Sequence, residues 1–375
     1  MISKIKNFIK LKLNRQSLIQ NINLDLTTNQ KKVLISYLTT GFENDIENGS
    51  VSATNIFEVN QIVKSFISFN FSIDIVLCVD INSFNKIKDK NYDIIFGFGE
   101  IFNRMCKLQP SKKRIMYLTE HHPEFSKKKE TERVRYFYER HNKNISLSRS
   151  GAYFQKDNFN HIDEIIILGE TFPFENKKYK IHKIKPTGLL NNRFTYSIRN
   201  INSSRNNFLW FGSNGAVHKG LDLLLDIFLN RPEISLHICG LNKQDRKLLK
   251  LPKQANIIDY GKIDVQGDLF LKLMKNCSFI LLPSCSEGMS TSVLTCMRHS
   301  MIPIVMKDTG FNHLTDLAFL LDDFKLDYVE NRINQIRSID EFKIENLHKK
   351  IYKYANDEFN LKKYSIDISS IISKL

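Results

Sequence analysis

The feature that most constrains the fold is an alternation of two patterns along the chain. Short β-rich apolar runs are separated by stretches whose apolar residues recur at helical spacing, and the series occurs twice. In the first half, KKVLISYL from Lys31, SIDIVLCVD from Ser72, YDIIFGFG from Tyr92, KRIMYLT from Lys113 and DEIIILG from Asp163 read as strands. Between them, Asn55 to Phe69 places Ile56, Val59, Ile62, Val63 and Phe66 on one helical face, and a charged helix is expected near Lys128 to Arg140. Such runs with helical segments between them indicate a parallel sheet with crossover helices.

A polar stretch, NNRFTYSIRNINSSRNN over 191–207, interrupts the series with the composition of a linker. The alternation then restarts. FLWFG, ISLHICG, NIIDYG, FILLPS and MIPIVM read as strands, with helices over Leu221 to Leu229, Asp268 to Asn276 and Thr291 to His299; from about Asp340 the chain is largely helical. No repeat recurs at a solenoid period. A chain of 375 residues is thus expected to form two successive α/β domains.

Composition removes several classes. Hydrophobic residues make up 42% and charged residues 25%, too apolar for disorder. No apolar run approaches the roughly 18–20 residues of a membrane span, the strongest being Phe279 to Pro283. Lys4, Lys6, Lys10 and Lys12 interrupt the amino terminus where a signal peptide needs an apolar stretch, so a cytoplasmic location is expected. The six cysteines (Cys78, Cys106, Cys239, Cys277, Cys285, Cys296) show no metal-like spacing; buried, reduced thiols are expected, with no metal and no cofactor.

Charge adds a partner class. Lys and Arg number 55 against 40 for Asp and Glu, a net of +15, which attracts polyanions: nucleic acid, anionic lipid or phosphorylated substrates. No recognised module or aromatic-interleaved basic motif supports nucleic acid. The first fifteen residues hold five bases and no acid, with Ile2, Ile5, Phe8 and Ile9 near helical spacing. Such a segment either docks on an anionic membrane surface or stays solvated.

Two segments carry chemistry. In WFGSNGAVHKGLDLLL a strand ends at Phe211, a loop carries Gly212 and Gly215, and a helix starts near Lys219 and Gly220. Glycines allow close approach of a ligand, and a helix amino terminus attracts anions, with Lys219 adding a full charge. In LLPSCSEGMSTSVLTCM a buried strand ends at Pro283, a turn holds Glu287 and Gly288, and Ser290, Thr291 and Ser292 open a helix whose free amides suit a diphosphate. Glu287 is placed to accept hydrogen bonds from sugar hydroxyls. A tight turn with a solvated lysine and a carboxylate capping its own helix account for either segment alone; two such loops at strand ends of one sheet bring the crevice rule into play.

Taken together, these segments resemble the donor domain of retaining GT-B glycosyltransferases of family 4. Lys219 and Gly220 match the family's Lys-Gly, and LHICG and IIDYGKI resemble its later strand–glycine pieces, with Gly240 and Gly261. PSCSEGMSTSVLTCM resembles the segment containing its Glu-x7-Glu motif. The motifs span about residues 208–310; the first half resembles the family only in its alternation and in YLTEHHP and IKPTG. The resemblance implies two Rossmann-like domains facing across a cleft: 1–200 on the acceptor side (1–30 being the basic segment), 201–355 binding the donor, and 356–375 crossing back to the first domain.

Two positions depart from the family. Asn214 stands where the family has an arginine, and Thr295 where it has the second glutamate, which usually binds ribose. The resemblance then leaves Lys219, the helix amides and His218 to stabilise the leaving diphosphate. On the acceptor side, Glu120, His121 and His122 follow a strand, and Gly41 lies in the long polar loop from Thr39 to Asn55. A histidine there can bond sugar hydroxyls or position the acceptor, so His121 and His122 join Lys219 and Glu287 as candidate catalytic residues. KKKETERVR is expected to be a solvated helical face. No Asp-x-Asp triplet occurs in the chain, so leaving-group charge falls to protein cations.

The expected activity is transfer of a sugar from a nucleotide-diphosphate sugar to a glycan or lipid-linked acceptor hydroxyl. Retention, metal independence and a place in cell-surface polysaccharide or glycolipid synthesis, at the inner membrane face, follow if the resemblance holds. A sugar-nucleotide epimerase or phosphorylase on the same fold, and an inactive sugar-nucleotide-binding partner protein, are the rivals.

Overall fold

The structure is a computed structural model and describes residues 16–40, 53–110, 112–154, 156–169 and 179–375. Residues 1–15 and Gly41 lie outside the described residues.

The apolar runs of the first half form one seven-stranded sheet. Its strands are β1 (Leu18–Ile22), β2 (Lys32–Tyr37), β3 (Ser72–Leu77), β4 (Ile94–Gly97), β5 (Lys113–Leu118), β6 (Glu164–Ile167) and β7 (Lys180–Lys183), in the order β1-β3-β2-β4-β5-β6-β7. From β3 to β7 every pairing is parallel, as the runs predict. The edge strand β1 pairs antiparallel with β3 and breaks register between Ile19 and Ile22, a bulge of the kind that blunts an open edge. Neither β1 nor β7 is fully buried, so neither carries the apolar signature that marks the other strands.

Helices α1 (Thr54–Ser68), α2 (Gly99–Leu108) and α3 (Pro123–His141) belong to this half. In α3 the sequence expectation is corrected twice. The helix starts at Pro123, where proline suits the first helical turn. Its charged run is not simply solvated: Glu130 and Arg133 are 1% and 0% exposed. Ser126, Glu130, Arg133 and Arg140 fall on one face, because their spacings of four, three and seven residues follow the helical period. That face meets the second half. Ser126 and Ser286 hydroxyls lie 2.7 Å apart, Arg133 donates to the Pro283 carbonyl at 3.0 Å, and Arg140 bridges Asp222 and Asp226.

The second sheet is parallel throughout: β8 (Asn207–Phe211), β9 (Ser235–Cys239), β10 (Ile257–Asp259), β11 (Phe279–Leu282), β12 (Ile302–Met306) and β13 (Phe319–Leu321), ordered β10-β9-β8-β11-β12-β13. It is served by α4 (Leu221–Leu229), α5 (Lys243–Leu249), α6 (Asp268–Asn276), α7 (Thr291–Arg298), α8 (Leu326–Arg337) and α9 (Glu341–Glu358); α10 (Leu361–Ile372) ends the chain. The chain winds outward from β8 through β9 to β10, then returns to start β11 beside β8. The switch point of the sheet is therefore between β8 and β11, where ligands of open parallel sheets bind.

The supposed linker is firmly held. Asn191, Arg199 and Ser204 are buried. Arg199 donates to the carbonyls of Met274 at 3.1 and 2.5 Å and of His299 at 2.8 Å, and to the Ser300 hydroxyl at 2.6 Å, collecting the carboxyl ends of α6 and α7. A guanidinium there meets the negative ends of two helix dipoles and bonds carbonyls that lack helical partners. Beyond it, α10 packs along α1: Tyr364 and Tyr117 hydroxyls are 2.8 Å apart and Ser365 donates to Gln61 at 3.0 Å. All six cysteines are buried and unpaired. Among the described residues, no helix is long and apolar enough to cross a membrane.

Candidate active site between the two sheets

The loop after β8 holds Lys219 through its own backbone. The Lys219 N–H donates to Gly215 at 2.9 Å and its carbonyl accepts from the Trp210 indole at 3.1 Å. Gly220, at φ +71, follows directly; a Cβ there would lie 2.6 Å from the Pro283 ring and 2.9 Å from Arg133. Only glycine fits so close a crossing at positive φ. The turn after β11 is fixed from the other side. Cys285 N–H donates to the His218 carbonyl at 2.8 Å, and the His218 ring donates from Nε2 to the Ser286 carbonyl at 2.6 Å. Gly288 is pressed against the first half, a Cβ there falling 2.7 Å from the Thr119 carbonyl.

Between these anchored loops, Lys219 Nζ is in direct contact with Glu287 Oε1. Their side chains are 6% and 10% exposed, so this is a nearly buried ion pair at the switch point. Burial opposes the charge of Glu287, but Lys219, Arg149 and His218 outweigh it and bring its carboxyl down to about 2. His218 is also kept charged: burial works against the cation, yet Cys285, Glu130 and Glu287 outweigh it and push the imidazole up to about 10. Its Nδ1 lies 3.3 Å from Cys285 Sγ and 3.4 Å from Glu130 Oε1.

The first half supplies three more charges. Glu130, on α3, accepts from Ser148 N–H at 2.8 Å, the Ser148 hydroxyl at 2.9 Å, Arg149 N–H at 3.1 Å and Ser150 N–H at 2.7 Å. That clasp sets Arg149 beside Gly215, whose imagined Cβ would be 3.1 Å from Arg149 Cγ. Arg149 donates to Glu120 Oε1 at 3.3 Å. Burial, with Glu287 nearby, raises the Glu120 carboxyl above its ordinary range despite Arg149. Glu120 thus joins Lys219 and Glu287 in one cluster. Arg149 and Glu130 were invisible to sequence reasoning as site residues, since one sits in an ordinary loop and the other in a charge run.

Other expected site residues are placed differently. His122 caps α3, its Nδ1 accepting from Glu124 N–H at 3.3 Å, and His121 Nδ1 accepts from His122 N–H at 2.8 Å. The His121 ring stacks on Phe125, and burial brings it down to about 4, so it is neutral near pH 7. Both histidines therefore anchor the start of α3. Gly212 has no room beside it, a Cβ meeting the Trp210 ring at 2.2 Å, and Gly240 is packed on the Gly212 carbonyl. Gly212 N–H donates to Cys239 and Gly240 N–H to Gly261, continuing the ladder past the strand ends. Thr295 is taken up internally, donating to the Thr291 carbonyl at 2.8 Å and accepting from Leu189 N–H at 3.0 Å. Asn214 is exposed and accepts from Asn242 at 2.9 Å. Ser290 precedes α7, its hydroxyl 3.0 Å from that of Ser292, and its side chain does not cap the helix.

No family model matches the sequence, and no curated protein matches it. Solved structures do. Sucrose-phosphate synthase from Thermosynechococcus elongatus superposes with a TM-score of 0.61 at 12% identity, over 92% of this chain and 99% of the other. The trehalose-6-phosphate synthase OtsA gives 0.60 at 8% identity, over 92% and 99%. The fold is GT-B. Anabaena HepE, solved in complex with UDP and glucose, gives 0.58 at 12% identity over 92% and 100%. Lys219 and Glu287 both lie in loops of the second sheet, with Thr119 and Glu120 of the first half against Gly288.

Proposed function

We propose that this chain is a glycosyltransferase that moves a sugar from a nucleotide-diphosphate sugar, uridine diphosphate being the first choice of carrier, to an acceptor hydroxyl. The observation that carries the reading is the contact of Lys219 with Glu287 at the switch point of a GT-B sheet. Residues 201–355 take the donor, 1–200 present the acceptor, and 356–375 return to the first unit.

The chemistry follows from where charge develops. As the glycosidic bond to the carrier breaks, negative charge builds on the diphosphate oxygens. The Lys219 ammonium and the amino-terminal amides of α7 are set in place before reaction and meet that charge without reorganising. Glu287 stays ionised and accepts hydrogen bonds from donor-sugar hydroxyls, fixing the anomeric carbon for attack. His218, cationic and buried behind them, adds to the positive potential. Gly212, Gly240, Gly261 and Thr295 hold the loops in shape rather than touch the donor. Retention, transfer without a metal, a hexosyl donor, and action on polysaccharide or glycolipid acceptors at a cytoplasmic membrane face are parts of this proposal.

The test is a thermal-shift screen against UDP-, GDP-, ADP- and CDP-sugars, followed by assay of carrier release with candidate acceptors. A raised Tm with one donor class, and release that depends on acceptor, are expected, since a ligand bound only by the native state stabilises it. Failure of every sugar nucleotide to bind at millimolar concentration would remove the reading.

A further inference from the structure

We propose that Arg149, carried by the first half of the chain, is a second cation for the donor's diphosphate, so that the donor site is complete only when the two halves meet. This rests on the functional reading above and deepens it.

Position comes first. Arg149 packs its side chain against Gly215, in the loop that bears Lys219 and ahead of α4. It reaches Glu120, which lies directly against Gly288 and hence beside the turn of Glu287. Exposure comes second. The side chains of Lys219 and Glu287 are 6% and 10% exposed, Glu120 19% and Arg149 28%. An anion entering the cluster therefore meets the guanidinium before the ammonium. Unused capacity comes third. A guanidinium has five N–H donors, and among the described residues that of Arg149 spends one, on Glu120 at 3.3 Å. That bond is long for a charge-assisted pair, so a diphosphate oxygen can take its place at little loss.

Charge balance agrees. Glu120, Glu130 and Glu287 offset Arg149, Lys219 and His218, so the cluster carries no surplus cation, and an incoming diphosphate gains a local positive contact when Arg149 turns from Glu120 to the ligand. The neighbouring Asn214 offers no charge of its own. The loop that carries Arg149 is held from both halves. The Glu130 carboxylate accepts from Ser148, Arg149 and Ser150 N–H groups and also faces His218 of the second half. Opening the cleft withdraws Arg149 and breaks that contact together.

The experiment is calorimetric titration of the full chain with UDP and with uridine, using wild type, Arg149→Ala, Arg149→Lys and Arg149→Ala/Asn214→Arg. Arg149→Ala is expected to weaken UDP binding by about tenfold or more while uridine binds as before. Arg149→Lys should keep part of the affinity, and the added arginine at 214 should restore part of it from the adjacent loop. If Arg149→Ala leaves Glu120 too exposed to repulsion to fold, Glu120→Gln/Arg149→Ala serves in its place. UDP affinity within about twofold of wild type in the folded alanine variant overturns the role of Arg149. Absence of any nucleotide binding by the wild type overturns instead the functional reading, and this role with it.

Discussion

Lys219 and Glu287 are a pair whose burial gives their removal two separable consequences. Taking one partner away strands the other in a poorly solvated place, at a cost of about 3–5 kcal/mol. Lys219→Ala and Glu287→Ala should each lower Tm and reduce turnover by about two to three orders of magnitude. The apolar double variant Lys219→Met/Glu287→Leu should regain Tm in calorimetry yet stay inactive. Recovery of turnover with stability would mean the pair is only structural. A second buried carboxyl behaves oppositely. Glu58 accepts from Tyr117 at 3.2 Å and Tyr37 at 3.4 Å, and burial outweighs those bonds and pushes it up to about 7 from 4.5. Between those values the folded state keeps a proton that the unfolded chain releases, so stability falls as pH rises through the window. The loss is on the order of 3 kcal/mol. Glu58→Gln should therefore be neutral in urea denaturation at pH 4 and stabilising at pH 8; equal effects at both would exclude this titration.

At the scale of elements, α3 and the 191–207 segment do what the sequence hides. Arg199→Met should cost about 3 kcal/mol, since it strips a charged donor from buried carbonyls of α6 and α7. A Tm change under about one degree would mean the segment is a loose tether after all. The buried parallel strands were legible because their runs are apolar throughout, and α4 and α6 match their expected spans to the residue. That Lys219 and Glu287 lie close together was legible because glycine-rich loops at neighbouring strand ends carry them. Arg149 and Glu130 were not, because tertiary folding alone brings SLSRSG to the β8 loop. Buried and solvated charges on α3 also look alike in a string of letters. Thr295, inside α7, and the two histidines ahead of α3 bond backbone groups in the structure, and a string of letters does not separate that use of a polar side chain from use toward a ligand.

For the whole molecule, the contact between the halves runs beside the Lys219–Glu287 pair. Gly288 abuts Thr119, and a Cβ added at Gly169 would lie 2.8 Å from the Gly288 backbone, so the halves touch beside Glu287, and the proposed transfer is expected to need their separation. Ser126 and Ser286, with hydroxyls 2.7 Å apart, offer a lock. In a Cys285→Ser background, Ser126→Cys/Ser286→Cys should form a disulfide under oxidation, mapped by peptide mass analysis. Turnover should stop in the oxidised protein and return on reduction. Full activity of the cross-linked form would show that entry needs no opening.

The last long helix has a different consequence, one of timing. Ser365 meets Gln61 across 304 residues, and Tyr364 reaches Tyr117 across 247. A ribosome adds residues in order, at about 5–20 per second. The first sheet therefore waits through synthesis of the entire second one before α10 can cover α1. Until Leu361–Ile372 emerges, the face of α1 that it covers lacks its native neighbour.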